Sequence, residues 1–419
     1  MKISVILLKL TKINFIHTLM AMLLPTNPIH FSIEIKNFQK NEGFWYFLSN
    51  NVIITKKEVF SMRFYFPILR HSNSEMNAFK LTWDSTKEKI FPIIEGKRIS
   101  RKNTDSWDKS FNSAGRYLME RIGKTPFIYD FKNVFDNLEN RSAEIKINNI
   151  NPVDFLISKF DEYELNYIPC FNHDSPEWMI NTILSKKTQS IAIRIRYYDI
   201  EQPLHAPINS YVEKMICTKF KDKKIYLILD FKNKIDEENI KLNLNYFSNY
   251  YEKILSISTL TSSVDTEDRM SFKKVSNRDE IKIYNKIKTE FPDILFSDYT
   301  TRLTPEPDLK EGFNMNNSYL KLYYTTIKGY YLGISDKFDL GEPENFQDVC
   351  NIIINSPLYS KKNYTVADEE IYRCAHKLEE VLTHQKTIEM SINHHLQFTV
   401  DELNKYYYFF PLKQNKQRV

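Results

Sequence analysis

The sequence predicts an α/β protein built on a (β/α)8 barrel, and three observations support this fold class. Short runs of apolar, β-branched and aromatic residues recur from residue 62 onward at roughly 33-residue intervals, the spacing of a strand followed by a helix. Hydrophobic residues are nearly continuous within each run, as in parallel strands that are buried on both faces. Eight runs are present, which is the strand number of a closed barrel. An open, doubly wound α/β sheet is the alternative.

The eight predicted strands follow one another between residues 64 and 299. They are Phe64–Arg70, Ile90–Glu95, Pro126–Phe131, Leu165–Phe171, Ser190–Arg196, Ile225–Phe231, Lys253–Thr259 and Ile294–Tyr299. Polar stretches long enough for a helix separate the runs. One helix is predicted from Ser74 to Leu81, and another opens at Asn151 with Pro152 near its start, where proline is favoured.

After about residue 317 the pattern changes. Tyr319–Thr326 and Gly329–Ile334 predict a hairpin, and Val366–His384 has the periodicity of a helix. We expect this hairpin and its helices to form a lid or an interaction surface. The sequence thus predicts three parts: a peripheral N-terminal extension over residues 1–61, a (β/α)8-like domain over residues 62–317 and a C-terminal hairpin and helical region over residues 318–419.

Glycine and cysteine usage excludes several enzyme classes. The chain has only eight glycines, and no two of them form a G-x-G, so the glycine-rich phosphate loops of dinucleotide-binding enzymes, P-loop NTPases and kinases are absent from the sequence. The four cysteines, at positions 170, 217, 350 and 374, form no C-x-x-C. A zinc site of paired thiolates is therefore not expected, and free thiols are typical of a cytoplasmic protein. We expect no resident cofactor or metal.

The net charge of +5 is concentrated near the amino terminus. Residues 1–61 carry seven lysines and three glutamates, a net charge of +4, which leaves +1 for residues 62–419. Nucleic-acid binders normally present a concentrated basic face, so the nearly neutral body leaves nucleic-acid binding open. The apolar stretch from Ile13 to Leu24 is too short to span a bilayer. We therefore expect a cytoplasmic protein without a membrane anchor.

Acidic and basic side chains follow the predicted strands, at the end where barrels bind their ligands. The candidates for catalysis are Glu95, Asp130, Lys132, Asp230, Lys232 and Asp298. The candidates for ligand binding are Arg194, Arg196 and Arg302. Opposite charges keep one another ionised, and arginine presents a planar fork to an oxyanion. The pattern predicts a pocket for acid–base chemistry or for an anion, although strand-end charges also commonly cap helices or form rim ion pairs.

Arg194 and Arg196 are the most informative pair, because residues two apart on a strand share one face. Two guanidinium groups inside a barrel are either paired with acids or bound to an anion, since an unpaired buried charge is costly. Three alternatives remain open from the sequence: an anion-binding or active site, an internal network of ion pairs, or exposure to solvent.

Five segments resemble one known family. Y-F-P-I-L-R at residues 65–70, followed by Glu75 and Ala78, and F-P-I-I-E at 91–95 are similar to the first motifs of the beta-protein family of satellite prophages and bacterial genomes. The family's carboxyl-terminal motifs are similar to K-G-Y-Y-L-G-I-S-D-K-F at 328–338, I-I-N-S-P-L-Y-S at 353–360 and Y-T-V-A-D-E-E-I at 364–371. This chain has Ser74 where the family usually has glycine.

The resemblance implies a context and assigns no catalytic residue. It implies an accessory or regulatory component of a prophage-encoded anti-phage defence or toxin-control module, encoded beside a toxic partner protein. We expect the barrel mouth to bind that partner, an anionic ligand or a nucleotide, with the aromatic C-terminal region as a contact surface. The alternative is a metal-dependent phosphodiesterase or nuclease-like enzyme, with Glu95, Asp130, Asp230 and Asp298 holding Mg²⁺.

Overall fold

The computed structural model describes residues 46–49, 52–55, 63–98, 107–136, 145–260, 269–303, 319–337 and 344–409. The chain divides into two compact units, Met1–Met62 and Arg63–Val419. In the first unit, β1 (Tyr46–Ser49) pairs with β2 (Val52–Thr55) as an antiparallel hairpin. The rest of the predicted N-terminal extension lies outside the described residues.

The second unit contains the eight predicted barrel strands, the two predicted hairpin strands and one more strand. Its strands are β3 (Ile68–Arg70), β4 (Ile93–Glu95), β5 (Phe127–Asp130), β6 (Tyr167–Asn172), β7 (Ser190–Arg196), β8 (Lys224–Lys232), β9 (Glu252–Ile257), β10 (Ser271–Ser276), β11 (Leu295–Ser297), β12 (Tyr319–Thr326) and β13 (Gly329–Lys337). Each of the eight predicted runs contains one strand of a single parallel sheet, ordered β3 to β9 and then β11.

Helices alternate with these strands along the chain. They are α1 (Asn73–Leu81), α2 (Asp84–Lys87), α3 (Trp107–Ile122), α4 (Lys132–Phe135), α5 (Pro152–Glu162), α6 (Glu177–Leu184), α7 (His205–Lys219), α8 (Glu237–Tyr246), α9 (Asp279–Glu290), α10 (Glu344–Ile354), α11 (Val366–Ala375) and α12 (His384–Phe409). The helix predicted at Pro152 is α5, whose first amide groups are capped by the Asn151 side chain.

The parallel sheet closes almost completely into a barrel. Tyr65 forms a parallel bridge with Phe296, which joins the chain just before β3 to β11. The amide of Phe66 donates to the Phe296 carbonyl at 2.9 Å, and the amide of Ile68 donates to the Asp298 carbonyl at 2.8 Å. These bonds link the two outermost strands, so the barrel prediction is confirmed over the open sheet.

Strand alternation divides the side chains between two cores. One core lies between the strands and the surrounding helices, and Leu229 and Phe231 of β8 belong to it. The other core is an apolar plug inside the barrel, and Ile228 of the same strand belongs to it. The plug consists of Phe66, Ile68, Phe91, Ile93, Ile128, Cys170, Ala192, Ile228, Ile254, Leu295 and Tyr299. Polar residues at later inward positions must therefore lie on top of this plug, at the carboxyl ends of the strands.

A smaller antiparallel sheet has the strand order β10-β13-β12. Along the chain, β10 comes after β9, and β12 and β13 come after β11. The predicted hairpin of β12 and β13 is confirmed, and β10 adds a third strand to it. Helices α10 and α11 pack on this sheet through Val349, Ile353 and Ile371. The helix predicted over Val366–His384 ends at Ala375, because Lys377 adopts a left-handed backbone conformation (φ 58°).

The long helix α12 returns to the barrel and supplies its eighth helix. Ile392, Leu396 and Val400 of α12 enter the core between the strands and the helices. The C-terminal region thus shares this core with the barrel. The predicted division into separate domains between residues 317 and 318 stays a prediction. Tyr324 and Tyr330 of the predicted aromatic contact surface are buried. Among the described helices, none is both long enough and apolar enough to cross a bilayer.

Candidate functional site

Arg194 lies at the centre of the barrel mouth with a side chain that is 1% exposed. Its Nη1 donates to Glu95 Oε1 at 3.0 Å and to Asp130 Oδ2 at 2.8 Å. Its Nε and Nη2 both donate to Asp230 Oδ2, at 2.8 and 2.6 Å. Nη2 also donates to the hydroxyl of Tyr299 at 2.6 Å. Five hydrogen bonds therefore occupy a group that has five N–H donors.

Tyr299 completes this arrangement, and the sequence analysis missed it. Its hydroxyl donates to Asp230 Oδ2 at 2.6 Å while accepting from Arg194. The residue ends the apolar run that contains β11, where an aromatic ring is typical of a hydrophobic core. Counting alternate residues from Leu295, an inward member of the plug, would have placed Tyr299 inside the barrel and Asp298 outside.

A second arginine, Arg302, shares a carboxylate with Arg194. Arg302 Nη1 donates to Glu95 Oε2 at 2.6 Å, so Glu95 bridges the two arginines. Arg302 Nη2 donates to Glu75 Oε2 at 3.2 Å, and the same oxygen accepts the backbone amide of Arg70 at 2.7 Å. Glu75 stands in the first motif of the family resemblance, which was the available signal for it. We call Glu75, Glu95, Asp130, Arg194, Asp230, Tyr299 and Arg302 the mouth network.

Gly96 lets two strands of the network approach each other. A Cβ at this position would lie 2.4 Å from Val134 Cγ2 and 3.0 Å from the carbonyl oxygen of Asp130. The Gly96 amide donates to that same carbonyl at 3.1 Å. Because a side chain at residue 96 would push β4 away from β5, the glycine helps to hold Glu95 beside Asp130.

Burial and charge act in opposite directions on the acids of the network. Burial by itself raises the pKa of Glu95, but Arg302 and Arg194 together hold that pKa well below its usual range. For Asp130, burial is the largest influence and raises the pKa in spite of Arg194. Burial also raises the pKa of the Tyr299 hydroxyl well above its usual value. Tyr299 is therefore a neutral hydrogen-bonding group, and Glu95 is an anion.

Arg196 belongs to a separate cluster at the rim. Its Nη1 donates to Asp136 Oδ2 at 3.0 Å, and its Nη2 donates to Asp174 Oδ2 at 3.2 Å. Lys132 Nζ donates to Asp136 Oδ1 at 2.9 Å and lies 3.5 Å from Asp174. The side chain of Arg196 is 11% exposed. The two arginines of β7 thus have different sets of carboxylates, and Lys132 joins the rim cluster instead of the mouth network.

Lys232 lies above the mouth network. Its ammonium group is 4.9 Å from the ring centroid of Tyr198 and 5.3 Å from that of Tyr299. Its backbone is left-handed (φ 51°), which turns the chain at the end of β8. The lysine is half-buried, and it shares the Tyr299 ring with Arg194 and Arg302, which lie 5.9 and 5.3 Å from the same centroid.

Asp298 does not join the other predicted acids. It points outward from the barrel, where its Oδ1 accepts the Tyr65 hydroxyl at 2.7 Å and its Oδ2 accepts His395 Nε2 at 3.0 Å. The predicted set of four metal-binding carboxylates is therefore not assembled. Among the described residues, no group of three or more His, Cys, Asp and Glu side chains is placed to hold a metal ion. The carboxylates of Glu95, Asp130 and Asp230 converge, but they converge on a guanidinium group.

Asp298 belongs instead to a second buried network beneath α12. His395 Nδ1 lies 2.9 Å from Thr325 Oγ1 of β12, and Arg278 pairs with Glu402 of α12 at 3.0 Å. Burial lowers the pKa of His395, an effect that Asp298 only partly offsets. We call this the α12 network. Its members are Tyr65, Arg278, Glu280, Asp298, Thr325, Tyr330, His395 and Glu402.

A cleft of about 490 Å³ lies outside the barrel beside the amino ends of α7 and α8. Tyr197 and Phe231 stack at its base with ring centroids 4.5 Å apart. His205, Lys234 and Asn239 line its polar side. The sequence gives no signal for this cleft, because Tyr197, just after β7, and Phe231 of β8 have the outward positions of ordinary core residues.

Comparison with known proteins gives one match. A family model described as Beta protein matches residues 65–401, which is most of the chain and includes the whole mouth network. No curated protein and no solved structure matches the sequence. The match agrees with the resemblance of the five motifs, and it covers the barrel strands and most of α12.

Proposed function

The chain belongs to the Beta protein family, and on this premise we propose that it is a binding component whose barrel mouth recognises a ligand or a partner protein. The observation that carries the proposal is the position of Arg194. Its guanidinium occupies the point where Glu95, Asp130 and Asp230 converge, and hydrogen bonds use its N–H donors. A buried cluster held this rigidly fixes the positions of the mouth residues around it, such as Lys232, which suits recognition.

The same arrangement disfavours hydrolysis by a metal ion bound to these acids. Divalent cations in phosphodiesterases are held by carboxylates that are free to coordinate them. Here the carboxylates neutralise a guanidinium, and a Mg²⁺ ion among them would be repelled by Arg194 at short range. Asp298, the fourth predicted ligand, faces α12.

The biological setting of the proposal comes from the family resemblance. We propose that the protein acts in the cytoplasm as an accessory or regulatory component of a prophage-encoded defence or toxin-control module. The partner would be a protein encoded by a neighbouring gene. The absence of glycine-rich phosphate loops and the nearly neutral body support recognition over nucleotide turnover.

Purification of the native protein, with mass spectrometry of whatever it retains, tests the binding step. We expect a retained partner or small molecule to be lost from Lys232→Met, because Lys232 is half-buried and its ammonium group lies beside Tyr299 of the mouth network. Lys124→Met is the matched control, since Lys124 is exposed at the opposite end of β5. Equal retention by both variants would contradict recognition at the mouth.

Infection assays with the complete gene cassette test the setting. We expect the Lys232→Met cassette to give the same phage plating as a cassette that lacks this gene, and Lys124→Met to behave as the wild type. Point variants are preferable to removal of residues 319–419, because that truncation removes α12 from the barrel core. Equal plating in all cassettes would reject the defence function. Hydrolysis of nucleotides or DNA that is abolished by a chelator and by Asp230→Ala would replace the proposal with the metal-dependent enzyme.

A further inference from the structure

The cleft beside α7 and α8 has a size and a position that suit a small ligand. Its volume of about 490 Å³ falls within the range of about 300–1,000 Å³ that is typical of small-molecule sites. Its lining residues come from two segments, the one that follows β7 and the one that ends β8 and leads into α8. The cleft therefore lies at the carboxyl ends of the strands, where barrels bind their ligands. No member of the mouth network lines it.

The polar side chains of this cleft are within reach of a ligand. Glu201 on the first segment and Lys234 on the second are both exposed, and Asn239 of α8 is half-buried. Glu201 and Lys234 form no ion pair with each other or with any other described residue. The cleft thus offers an acid and a base from its two segments, and neither charge is neutralised by a neighbouring side chain.

The floor between these charged groups is apolar. Ile235 is half-buried and Ile200 is 8% exposed. The stacked rings of Tyr197 and Phe231 support them from the base of the cleft. A floor of this kind favours a ligand that has an apolar side chain or ring, because burial of apolar surface is the main gain in such sites.

A buried polar network holds the two segments in place. The Tyr197 hydroxyl donates to Asn209 Oδ1 at 2.7 Å, and Asn209 Nδ2 donates to Asn243 Oδ1 at 2.7 Å. Asn243 Nδ2 in turn donates to the carbonyl oxygen and to Oδ1 of Asn239, at 2.7 and 3.0 Å. His205 Nδ1 lies 3.1 Å from the same Oδ1. Polar side chains that satisfy one another in a buried position make the surrounding structure rigid, so the cleft is preorganised.

The network also decides which atom Asn239 presents. Its Oδ1 is turned towards Asn243 and His205, so its Nδ2 is the group that remains for the cleft. Asp236 lines the cleft as well, but its Oδ1 caps α8 by accepting the amides of Glu238 and Asn239 at 3.1 and 3.4 Å. The positive end of the helix dipole offsets that negative charge. The segment after β8 therefore favours an anionic group through Lys234 and Asn239, whereas Glu201 favours a cationic group.

The distribution of charge selects the class of ligand. A purely anionic molecule would meet Glu201 and Asp236, and a purely cationic molecule would meet Lys234 and the amino ends of two helices. A zwitterion with an apolar substituent satisfies the acid, the base and the floor together. The small molecules that carry an ammonium group and a carboxylate on one carbon are the α-amino acids.

We propose that the cleft binds a free α-amino acid with a large apolar side chain. Its ammonium group donates to Glu201, its carboxylate accepts from Lys234 Nζ and Asn239 Nδ2, and its side chain lies on Ile200 and Ile235. The proposal goes beyond the proposed function, because the cleft lies outside the mouth network. It depends neither on the partner protein nor on the biological setting.

Calorimetry with L-phenylalanine and L-leucine at concentrations up to about 10 mM tests the proposal, since this range covers a millimolar Kd. We expect at least one of them to bind and to raise the melting temperature. Three probes that each lack one feature separate the contributions: phenethylamine lacks the carboxylate, phenylpropionate lacks the ammonium group and glycine lacks the side chain. Each should bind at least about threefold more weakly than the better amino acid.

Two single variants locate the site. Lys234→Met and Glu201→Gln should melt as the wild type does, because neither side chain has an ion-pair partner among the described residues, and each should bind the amino acid about three- to tenfold more weakly. Lys234→Met should leave the weak binding of phenethylamine unchanged, since this probe has no carboxylate for the lysine. Lys214→Met is the matched control and should bind normally, because Lys214 is exposed on α7 about two and a half turns after His205.

Three outcomes would overturn the proposal. The first is that neither amino acid binds at about 10 mM. The second is that phenethylamine or phenylpropionate binds as tightly as phenylalanine, because the cleft would then select an apolar group and not a zwitterion. The third is that Lys234→Met and Glu201→Gln both bind as the wild type does, or that Lys214→Met loses as much affinity as they do, because the amino acid would then lie elsewhere on the protein.

Discussion

The mouth network and the α12 network are two buried charged clusters on opposite faces of one sheet. Both combine an arginine, carboxylates and a tyrosine hydroxyl, and both lie at the carboxyl end of the barrel. Arg194 and its acids sit inside the barrel, above the apolar plug. Asp298 and His395 sit outside it, between β11 and α12. Consecutive residues of one segment, Asp298 and Tyr299, belong to different networks.

The two networks differ in what they connect. The α12 network joins the barrel to elements outside it, since His395 of α12 contacts both Asp298 and Thr325 of β12. It fastens the small sheet and the last helix to the barrel. The mouth network joins inward residues of several barrel strands and reaches Glu75 of α1 through Arg302. It borders polar atoms for which the described residues supply no partner. Buried charge is common to both networks, so by itself it does not distinguish a structural cluster from a binding site.

The largest expected effect follows from removal of Arg194. Arg194→Met leaves Glu95, Asp130 and Asp230 as neighbouring buried acids without their shared cation, and we expect a loss of about 3–5 kcal/mol in the free energy of unfolding. Chemical denaturation measures it. Arg196→Met is the matched control, because Asp136 and Asp174 keep Lys132 as a second cation, and we expect a smaller loss of about 1.5–3 kcal/mol. Equal losses in both variants would show that the inward position of Arg194 does not increase its contribution to the free energy of unfolding.

The α12 network should respond less strongly. Asp298→Ala removes the acceptor of Tyr65 and of His395, and we expect a loss of about 1–3 kcal/mol from the unsatisfied partners. Asp298→Asn keeps the shape and one acceptor, so its loss should be smaller. Both variants should bind any ligand of the mouth as the wild type does. A binding defect in folded Asp298→Asn would show that the two networks are functionally coupled, and it would contradict their separate roles.

The sequence predicts the barrel well, because each strand is encoded by its own apolar run. It also predicts that Glu95, Asp130, Asp230, Arg194 and Arg302 meet, since all five end strands or follow them. Three features escape it. The directions in which Asp298 and Tyr299 point depend on counting alternate residues from the plug. Strand β10 is polar and pairs with a segment about 60 residues later. The role of α12 depends on packing across the whole chain.

Acid should affect the α12 network before the mouth network. The folded-state pKa of His395 is lowered by burial, so its contribution to stability is present above the unfolded value of ~6.5 and is lost as the pH falls below it. The folded-state pKa of Glu95 is also lowered, but its contribution is lost only below the unfolded value of ~4.3. We expect His395→Gln to lose less stability than the wild type between about pH 7.5 and about pH 5.5. Urea midpoints at the two pH values measure the difference, and parallel losses would contradict it.

The smallest effect is expected from the amino terminus. The first predicted strand begins at Phe64, and residues 63–419 form a compact unit that contains both networks. A chain that begins at Met62 should therefore be soluble, and its free energy of unfolding should lie within about 0.5 kcal/mol of the full-length value. Arg194→Met in this shorter chain should cost as much as in the full chain, because the mouth network lies wholly after residue 62. A large drop in melting temperature on removal of residues 1–61 would show that they stabilise the barrel. A changed effect of Arg194→Met would show that they reach its mouth.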